Sequence, residues 1–219
     1  MPMTETLIFD MDGTIVDNMA VHIEVWLSIL AKHGVAQTAE DFHHVSSGKT
    51  NPEILRYYLG ANLSNEDVAT LGEEKELLYR TVYGDHLSAV AGLYEMLEEA
   101  RHWGLRLALA TSAPPINVSF VLNGLHLQDT FDVVVTADDV LLGKPNPEVF
   151  LTVSKRLNCD PAHCVVFEDA PAGIQAAQRA GMRCVVVATS SVTTSDIIAP
   201  HVIQVVQDFT MVDRRLFGR

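Results

Sequence analysis

Four short polar stretches, far apart in the chain, carry side chains that could together handle phosphate chemistry. They are Asp10-Met11-Asp12-Gly13-Thr14, Thr111-Ser112, Lys144-Pro145 and Glu168-Asp169. Three of them lie at or just beyond the end of an apolar run typical of a β-strand, and the fourth follows such a run within a few residues. In an open parallel sheet, the loops at the carboxyl ends of the strands converge on one crevice, so these groups are predicted to meet. Several carboxylates, a hydroxyl and an amine are the groups that magnesium-assisted phosphoryl transfer requires.

The acidic loop at Asp10-Met11-Asp12-Gly13-Thr14 gives the strongest of these signals. Its two aspartates follow a strand directly, and Gly13 permits the tight turn between strand and loop. Asp10 is predicted to be the nucleophile, because an ionised carboxylate can attack phosphorus and form an aspartyl-phosphate that divides one difficult step into two. Asp12 would protonate the leaving oxygen and then deprotonate the attacking water. A solvated turn is the plainer alternative for two aspartates alone, and the other three stretches argue against it.

Two further stretches supply groups that could hold the phosphoryl oxygens. Thr111 offers a hydroxyl and the amides that follow it, and Ser112 adds its own amide or hydroxyl. Lys144 stands before a proline and a predicted helix start, so its ammonium is rigidly presented and can neutralise phosphoryl oxygens and carboxylates. Taken alone, these residues would be an ordinary strand-end threonine and a surface lysine.

The last stretch, Glu168-Asp169, predicts a metal site. These two carboxylates and Asp10 would repel one another strongly unless a cation lay between them. Mg²⁺ prefers a near-octahedral shell of oxygen ligands, so it is the predicted cofactor. The expected ligands are Asp10, the backbone carbonyl of Asp12, and Asp169, while Glu168 either binds the ion directly or accepts a hydrogen bond from a group that does. The alternative role for the acidic pair is to cap the helix that follows.

Alternating strand and helix patterns position these stretches. Apolar runs typical of buried strands cover residues 6–9, 105–110, 133–136, 164–167 and 184–187. Helical patterns between them cover residues 93–103, 116–123, 147–157 and 172–180. This alternation predicts an α/β fold whose sheet is mostly parallel, with right-handed crossover connections.

Residues 19–83 break the alternation, because they carry helical periodicity without a convincing strand. An apolar stripe at helical spacing comprises Val21, Val25, Trp26, Ile29 and Leu30. The chain is therefore predicted to contain an inserted α-helical cap at residues 18–87 and a catalytic core at residues 1–17 and 88–219. The insertion enters directly after the first strand, so it is predicted to act as a lid beside the site.

Composition limits the classes of protein that need to be considered. The 219 residues are 48% hydrophobic and 20% charged, as expected of a globular enzyme. No stretch approaches the roughly 20 apolar residues of a membrane span, and no basic secretory leader opens the sequence. The protein is therefore expected to be cytoplasmic and to have no membrane partner. A monomer is the expected oligomeric state. The net charge of −13 repels polyanions, so nucleic acid is not expected as a partner. The three cysteines form no CxxC pair and are predicted to be incidental thiols in a reducing compartment.

The four stretches and their flanks resemble the motifs of the haloacid dehalogenase superfamily. The matching segments are Phe9-Asp10-Met11-Asp12-Gly13-Thr14, Ala110-Thr111-Ser112, Gly143-Lys144-Pro145-Asn146-Pro147 and Phe167-Glu168-Asp169-Ala170-Pro171-Ala172-Gly173. Their order and spacing cover nearly the whole chain, and the likeness is greatest to the β-phosphoglucomutase-like and sugar-phosphate phosphatase branch. The resemblance implies a Rossmann-like core, an α-helical cap inserted after the first motif, and Mg²⁺ as cofactor.

The same resemblance points to substrate contacts in the cap. The loop at residues 46–50 corresponds to one that faces the core site in the resembling enzymes, so Lys49 and Asn51 are expected to contact the non-reacting part of the substrate. A solvated turn is the alternative. His22 resembles a hinge-side histidine that helps align the acid/base aspartate, and its alternative is a partly buried helix histidine. β-Phosphoglucomutases are expected to carry a basic residue where Asn51 falls, which speaks against mutase activity. Lys49 is the alternative basic residue, although it is offset from that position.

The predicted function is Mg²⁺-dependent hydrolysis of a small, sugar-like phosphomonoester through an aspartyl-phosphate, with a small phosphorylated metabolite as partner. β-Phosphoglucomutase activity is the main alternative, because a mutase and a phosphatase share every core residue, and pyrophosphate is another plausible substrate. Asp12 argues against haloalkanoate dehalogenation and phosphonate cleavage, whose enzymes lack an acid there. A non-catalytic, phosphate-binding regulatory protein would need neither a helical lid nor Asp12.

Overall fold

The computed structural model describes residues 3–46, 49–189 and 199–217 of the chain. Residue contacts divide the chain into two compact units. One unit comprises Met1–Asp17 and Ser88–Arg219, and the other comprises Asn18–Leu87. Two residues of the predicted loop at 46–50, numbers 47 and 48, lie outside the described residues.

A six-stranded sheet forms the centre of the first unit. Its strands are β1 (Thr6–Phe9), β2 (Arg106–Ala110), β3 (Val133–Val135), β4 (Cys164–Glu168), β5 (Arg183–Val187) and β6 (Val202–Val206). The strand order is β3-β2-β1-β4-β5-β6, and every neighbouring pair is parallel. This arrangement confirms the predicted α/β fold with a parallel sheet.

Strand β6 was not among the strands that the sequence pattern predicts. It lies at the edge of the sheet, and only its last residue, Val206, is buried. A strand with one neighbour and partly exposed faces does not need the continuous apolar run that identifies a buried central strand. For that reason the residues of β6 give a weaker pattern than those of β1 or β4.

The second unit is α-helical, as the sequence predicts. Its helices are α1 (Met19–Lys32), α2 (Ala39–Ser46), α3 (Asn51–Leu59) and α4 (Asn65–Tyr83). Their buried apolar side chains form one cluster that includes Trp26, Leu30, Phe42, Ile54, Leu55 and Val68. Local caps fix the starts of the helices: the Ser64 hydroxyl accepts a hydrogen bond from the Asp67 amide at 3.0 Å at the start of α4.

Within the described part of the first unit, four α-helices flank the sheet. They are α5 (Leu93–His102), α6 (Pro115–Gly124), α7 (Glu148–Leu157) and α8 (Pro171–Arg179). Helix α7 begins one residue later than predicted, and the Asn146 side chain accepts a hydrogen bond from the Glu148 amide at 3.0 Å. This cap fixes the loop that carries Lys144, because the chain cannot shift along the helix start without breaking it.

Aromatic side chains pack beneath the ends of the two central strands. The rings of Phe9 at the end of β1 and Phe167 in β4 are stacked with centroids 4.7 Å apart, and both are fully buried. Phe209 lies against both rings, at 5.8 Å and 5.5 Å. Phe9 directly precedes Asp10, and Phe167 directly precedes Glu168. The packing of the two rings therefore holds these two acids in place.

Among the described residues, no helix combines the length and the apolar character that crossing a membrane would require.

Candidate active site

The carboxyl ends of the three central strands bring three of the predicted stretches together. Phe9 is aligned with Leu109 on one side and with Phe167 on the other, so the residues that follow lie at one edge of the sheet. Backbone hydrogen bonds continue past the strand ends, since the Asp10 amide donates to the Phe167 carbonyl at 3.0 Å. The sheet register therefore fixes the position of Asp10 before any side-chain contact is considered.

Three carboxylates converge at this edge. Asp10, Glu168 and Asp169 each offer an oxygen atom within 4.8 Å of the other two. Their exposed fractions are only 6%, 1% and 5%, so water solvates them poorly. Buried like charges at this separation require a compensating cation.

Lys144 supplies one such cation. Its ammonium lies 2.5 Å from Asp10 Oδ1 and 2.6 Å from Glu168 Oε1, and its side chain is 8% exposed. It also donates to the Ala110 carbonyl at 3.4 Å, so all of its described oxygen contacts lie at the same sheet edge. A lysine that is 134 residues from Asp10 in sequence thus bridges two members of the acid cluster.

The charges of the cluster are not balanced by Lys144 alone. Burial raises the pKa of Asp10 to about 7, Lys144 opposes this rise, and Glu168 and Asp12 add to it. Burial likewise raises the pKa of Asp169 well above its ordinary value, with further contributions from Glu168 and Asp10. Burial would lower the pKa of Lys144, but the negative charges of Asp10 and Glu168 outweigh that effect and keep it raised. The site therefore favours an additional positive charge.

The donor set fits a divalent metal ion. All three ligand candidates offer carboxylate oxygens, the type of ligand that Mg²⁺ prefers, and they lie on a rigid sheet edge. The loop at Gly13 comes close enough that a Cβ there would lie 2.1 Å from Asp169 Oδ2, and its φ of +81° is one that L side chains rarely adopt. The glycine therefore lets the loop of Asp10 and Asp12 approach the carboxylate of Asp169 directly.

The raised pKa of Asp10 predicts how stability depends on pH in the metal-free protein. Its ordinary value is 3.8, and the folded value is about 7. Because folding disfavours the ionised form, this carboxyl destabilises the fold progressively as pH rises from about 4 to about 7, and by a constant amount above that. We expect the Tm of the wild type to fall relative to that of Asp10→Asn over this interval.

Differential scanning fluorimetry at several pH values, with and without Mg²⁺, measures this dependence. Since a metal ion needs the ionised carboxylates, Mg²⁺ should raise the Tm more at pH 8 than at pH 5. A Tm difference between wild type and Asp10→Asn that is the same at pH 4 and pH 8 would contradict the assignment.

The three remaining core residues of the prediction occupy different environments. Thr111 is 1% exposed, and its hydroxyl oxygen accepts a hydrogen bond from the Ala113 amide at 3.0 Å, which fixes the turn after β2. Its O–H can still donate a hydrogen bond to a phosphoryl oxygen. Ser112 is exposed, and Asp12 is half-buried and close enough to Asp10 to raise its pKa. The catalytic roles of these residues stay predictions.

The predicted substrate contacts of the helical unit are engaged within that unit. The Lys49 ammonium donates to the Val45 carbonyl. Asn51 donates through its amide to Glu76 Oε1 at 2.6 Å. His22 Nδ1 lies 2.9 Å from the Lys75 ammonium. Their contact with a substrate stays a prediction.

Sequence reasoning missed the buried ion pair that joins two of these contacts. Lys75 and Glu76 are 3% and 7% exposed, and their charged groups are 2.9 Å apart. The pair links Asn51 on α3 to His22 on α1 through helix α4. Adjacent opposite charges on a long polar helix are usually solvated, so the sequence carried no signal that both are buried.

Comparison with known proteins shows that the chain is similar to phosphatases. The sequence model of the family described as haloacid dehalogenase-like hydrolase matches residues 7–187. The chain is 34% identical over 178 residues to the phosphorylated carbohydrates phosphatase of Thermotoga maritima, covering 81% of this chain and 82% of that protein. It is 33% identical over 181 residues to fructose-1-phosphate phosphatase YqaB of Escherichia coli, covering 82% and 94%.

A solved structure gives a similar result. The crystal structure of β-phosphoglucomutase from Clostridium difficile matches with a TM-score of 0.84 at 28% sequence identity. The match covers 99% of this chain and 96% of that chain. The similarity therefore extends over both units and not only over the sheet.

Proposed function

We propose that this chain, which belongs to the haloacid dehalogenase-like hydrolase family, hydrolyses small sugar-like phosphomonoesters. Mg²⁺ is the proposed cofactor of this reaction. The observation that carries the proposal is the buried cluster of Asp10, Glu168 and Asp169 with Lys144 bridging two of its members. A nucleophilic carboxylate beside a fixed ammonium and a metal-binding acid pair is an arrangement for phosphoryl transfer.

The residues of the cluster divide the reaction into two steps. Asp10 attacks phosphorus, the bond to the leaving oxygen breaks, and an aspartyl-phosphate forms. Asp12 gives its proton to the leaving oxygen and then takes a proton from the water that hydrolyses the intermediate. Lys144 holds Asp10 in place and neutralises phosphoryl oxygens, while the Thr111 hydroxyl donates a hydrogen bond to one of them.

The metal ion would be held by Asp10, Asp169, the backbone carbonyl of Asp12, and Glu168 directly or through another ligand. A bound Mg²⁺ supplies the positive charge that the acid cluster lacks and stabilises charge on the phosphoryl oxygens. The raised pKa of Asp10 and Asp169 supports this assignment, because it reflects buried negative charge that Lys144 does not fully compensate. A bound cation would lower both values and keep the two carboxyls ionised.

The substrate class is inferred from the relatives. Two of them are named for phosphorylated carbohydrates and for fructose 1-phosphate, so a sugar or sugar alcohol phosphate is the proposed substrate. β-Phosphoglucomutase activity is the second candidate, which the structural match to such an enzyme favours. The pairing of Asn51 with the buried carboxylate of Glu76 weighs against it, because a substrate that carries a second phosphate is better bound by a cation there.

Phosphate release from a panel of substrates tests the proposal. We expect turnover of at least one hexose or hexitol phosphate, loss of activity after treatment with EDTA, and recovery when Mg²⁺ is added back. Pyrophosphate and an aryl phosphate serve as comparison substrates without a sugar. If every panel member is inert with Mg²⁺ present, the phosphatase assignment is wrong.

The mutase alternative has its own assay. Incubation with β-glucose 1-phosphate and a trace of the corresponding bisphosphate would yield glucose 6-phosphate faster than free phosphate if the chain were a mutase. We expect the opposite ratio. Coupled detection of glucose 6-phosphate and of phosphate in the same sample measures both rates.

Partners and location complete the proposal. The net charge of −13 supports a protein that does not bind nucleic acid. The cysteines Cys159, Cys164 and Cys184 are all free thiols, which supports a reducing, cytoplasmic location. A monomer stays the expected state, and size-exclusion chromatography with light scattering measures it.

A further inference from the structure

One glycine of helix α8 lies directly against a member of the acid cluster. A Cβ added to Gly173 would lie 1.7 Å from Glu168 Oε1 and 2.0 Å from Glu168 Cδ, whereas ordinary contact begins at 3.4 Å. The carboxylate of Glu168 thus occupies the space that any other side chain at position 173 would need. No comparable crowding surrounds Gly72, the glycine within helix α4, which has nothing within 4 Å of its own Cβ position.

The backbone gives no reason for glycine at this position. Gly173 lies inside helix α8, and its φ is outside the left-handed range that favours glycine. Gly173 is the third residue of α8, and even in this first turn the helical backbone gives glycine no advantage over alanine, which is favoured by about 1 kcal/mol in helix interiors. The close approach of Glu168 is therefore the feature of this position that disfavours a larger side chain.

The carboxylate of Glu168 cannot easily move aside to make room. It is 1% exposed, and both of its oxygens are engaged. Oε1 accepts from the Lys144 ammonium at 2.6 Å, and Oε2 accepts from the Ala170 amide at 2.8 Å. A displaced carboxylate would lose both bonds in a region closed to water, so the crowding is not relieved by a simple rotamer change.

We propose that Gly173 is a positioning residue for the acid cluster: it leaves open the volume in which Glu168 folds back over the first turn of α8, so that Lys144 can bridge Glu168 and Asp10. The steric part of this inference is independent of the proposed function. Only its expected effect on phosphate release rests on that function.

The variant Gly173→Ala tests the inference, with Gly72→Ala as the matched control. We expect Gly173→Ala to lower the Tm of the metal-free protein, although the change favours a helix. The Mg²⁺ concentration that gives half of the metal-induced rise in Tm should increase by about 10- to 100-fold. Its kcat should fall by about 100-fold, as for a displaced catalytic group. Gly72→Ala should leave the Tm unchanged or raise it, with full activity.

A double-mutant cycle separates crowding of Glu168 from a general effect on the helix. In a Glu168→Ala background the obstructing carboxylate is gone, so adding Gly173→Ala should leave the Tm unchanged or raise it. In a Glu168→Gln background the side chain keeps its size, so the same change should still lower the Tm. Should Glu168→Ala not fold, Glu168→Asp, which is shorter by one methylene, takes its place and should reduce the effect of Gly173→Ala.

The outcome of the cycle is decisive without any substrate. If Gly173→Ala lowers the Tm equally in the wild-type and Glu168→Ala backgrounds, Gly173 does not act through Glu168 and the inference is overturned. Failure of the phosphatase assay would leave this cycle unaffected, because the cycle uses the metal-free protein. The failure of one proposal is therefore distinguishable from the failure of the other.

Discussion

Asp10→Asn will lower kcat for phosphate release by about 10⁴-fold or more, the order found when a covalent nucleophile is removed from an enzyme. The change keeps the shape of the side chain and its position at the end of β1, but an amide cannot attack phosphorus and form an aspartyl-phosphate. The variant should fold, and its Tm should not fall below that of the wild type at neutral pH. Because burial raises the pKa of Asp10 to about 7, a neutral residue there should raise the Tm of the metal-free protein at neutral pH.

Loss of activity together with a gain in stability separates a catalytic effect from unfolding. Phosphate release with a sugar phosphate measures the first quantity, and scanning fluorimetry measures the second. Asp12→Asn is the matched control, because it retains the nucleophile and removes only the acid and base, for which a loss of about 10²- to 10⁴-fold is expected.

The two variants also differ in what accumulates. With Asp12→Asn the hydrolysis of the intermediate is slowed, whereas its formation from an aryl phosphate, whose leaving group departs without an acid, is slowed less. Intact-protein mass spectrometry should therefore detect a phosphorylated chain after mixing with an aryl phosphate. Asp10→Asn should show none. Substantial turnover by Asp10→Asn would refute the covalent mechanism, and phosphorylation of a residue other than Asp10 would refute the assignment of the nucleophile.

Much of the fold was predictable because each central strand is buried on both faces. Such strands must be continuous apolar runs, and the polar residues that follow them must lie at one edge of a parallel sheet. That rule locates Asp10, Thr111 and Glu168 without any knowledge of side-chain conformation. The same rule did not predict the edge strand β6, because a partly exposed strand is not restricted to apolar residues.

Other features depend on side-chain conformation, which sequence patterns do not specify. Two neighbouring acids at the end of β4 predict a metal site, but not that Glu168 folds back onto α8 and requires Gly173. Likewise, the sequence pattern predicted the helical insertion at residues 18–87, but not that Asn51 pairs with Glu76 on another of its helices. Contacts between residues distant in sequence become visible only once the backbone has positioned both partners.

The bridging position of Lys144 leads to the second large effect. Lys144→Met removes the ammonium while keeping most of the length of the side chain, and it leaves Asp10 and Glu168 buried without their shared counter-charge. Loss of one partner from a buried ion pair typically lowers the free energy of unfolding by about 3–5 kcal/mol. We expect a loss of this size in urea denaturation of the metal-free protein at pH 8, together with a large fall in kcat.

The dependence of that loss on pH and on neighbouring variants identifies its cause. At pH 5, below the raised pKa of Asp10, this carboxyl is protonated in the fold, so the loss should be smaller than at pH 8. Combining Lys144→Met with Asp10→Asn should recover part of the stability, because one uncompensated charge is gone. Lys155→Met on the exposed side of α7 is the control, and it should change stability by less than about 0.5 kcal/mol. If Lys144→Met were as mild as this control at both pH values, Lys144 would not be the counter-ion of the cluster, and its role in phosphoryl transfer would lose its structural basis.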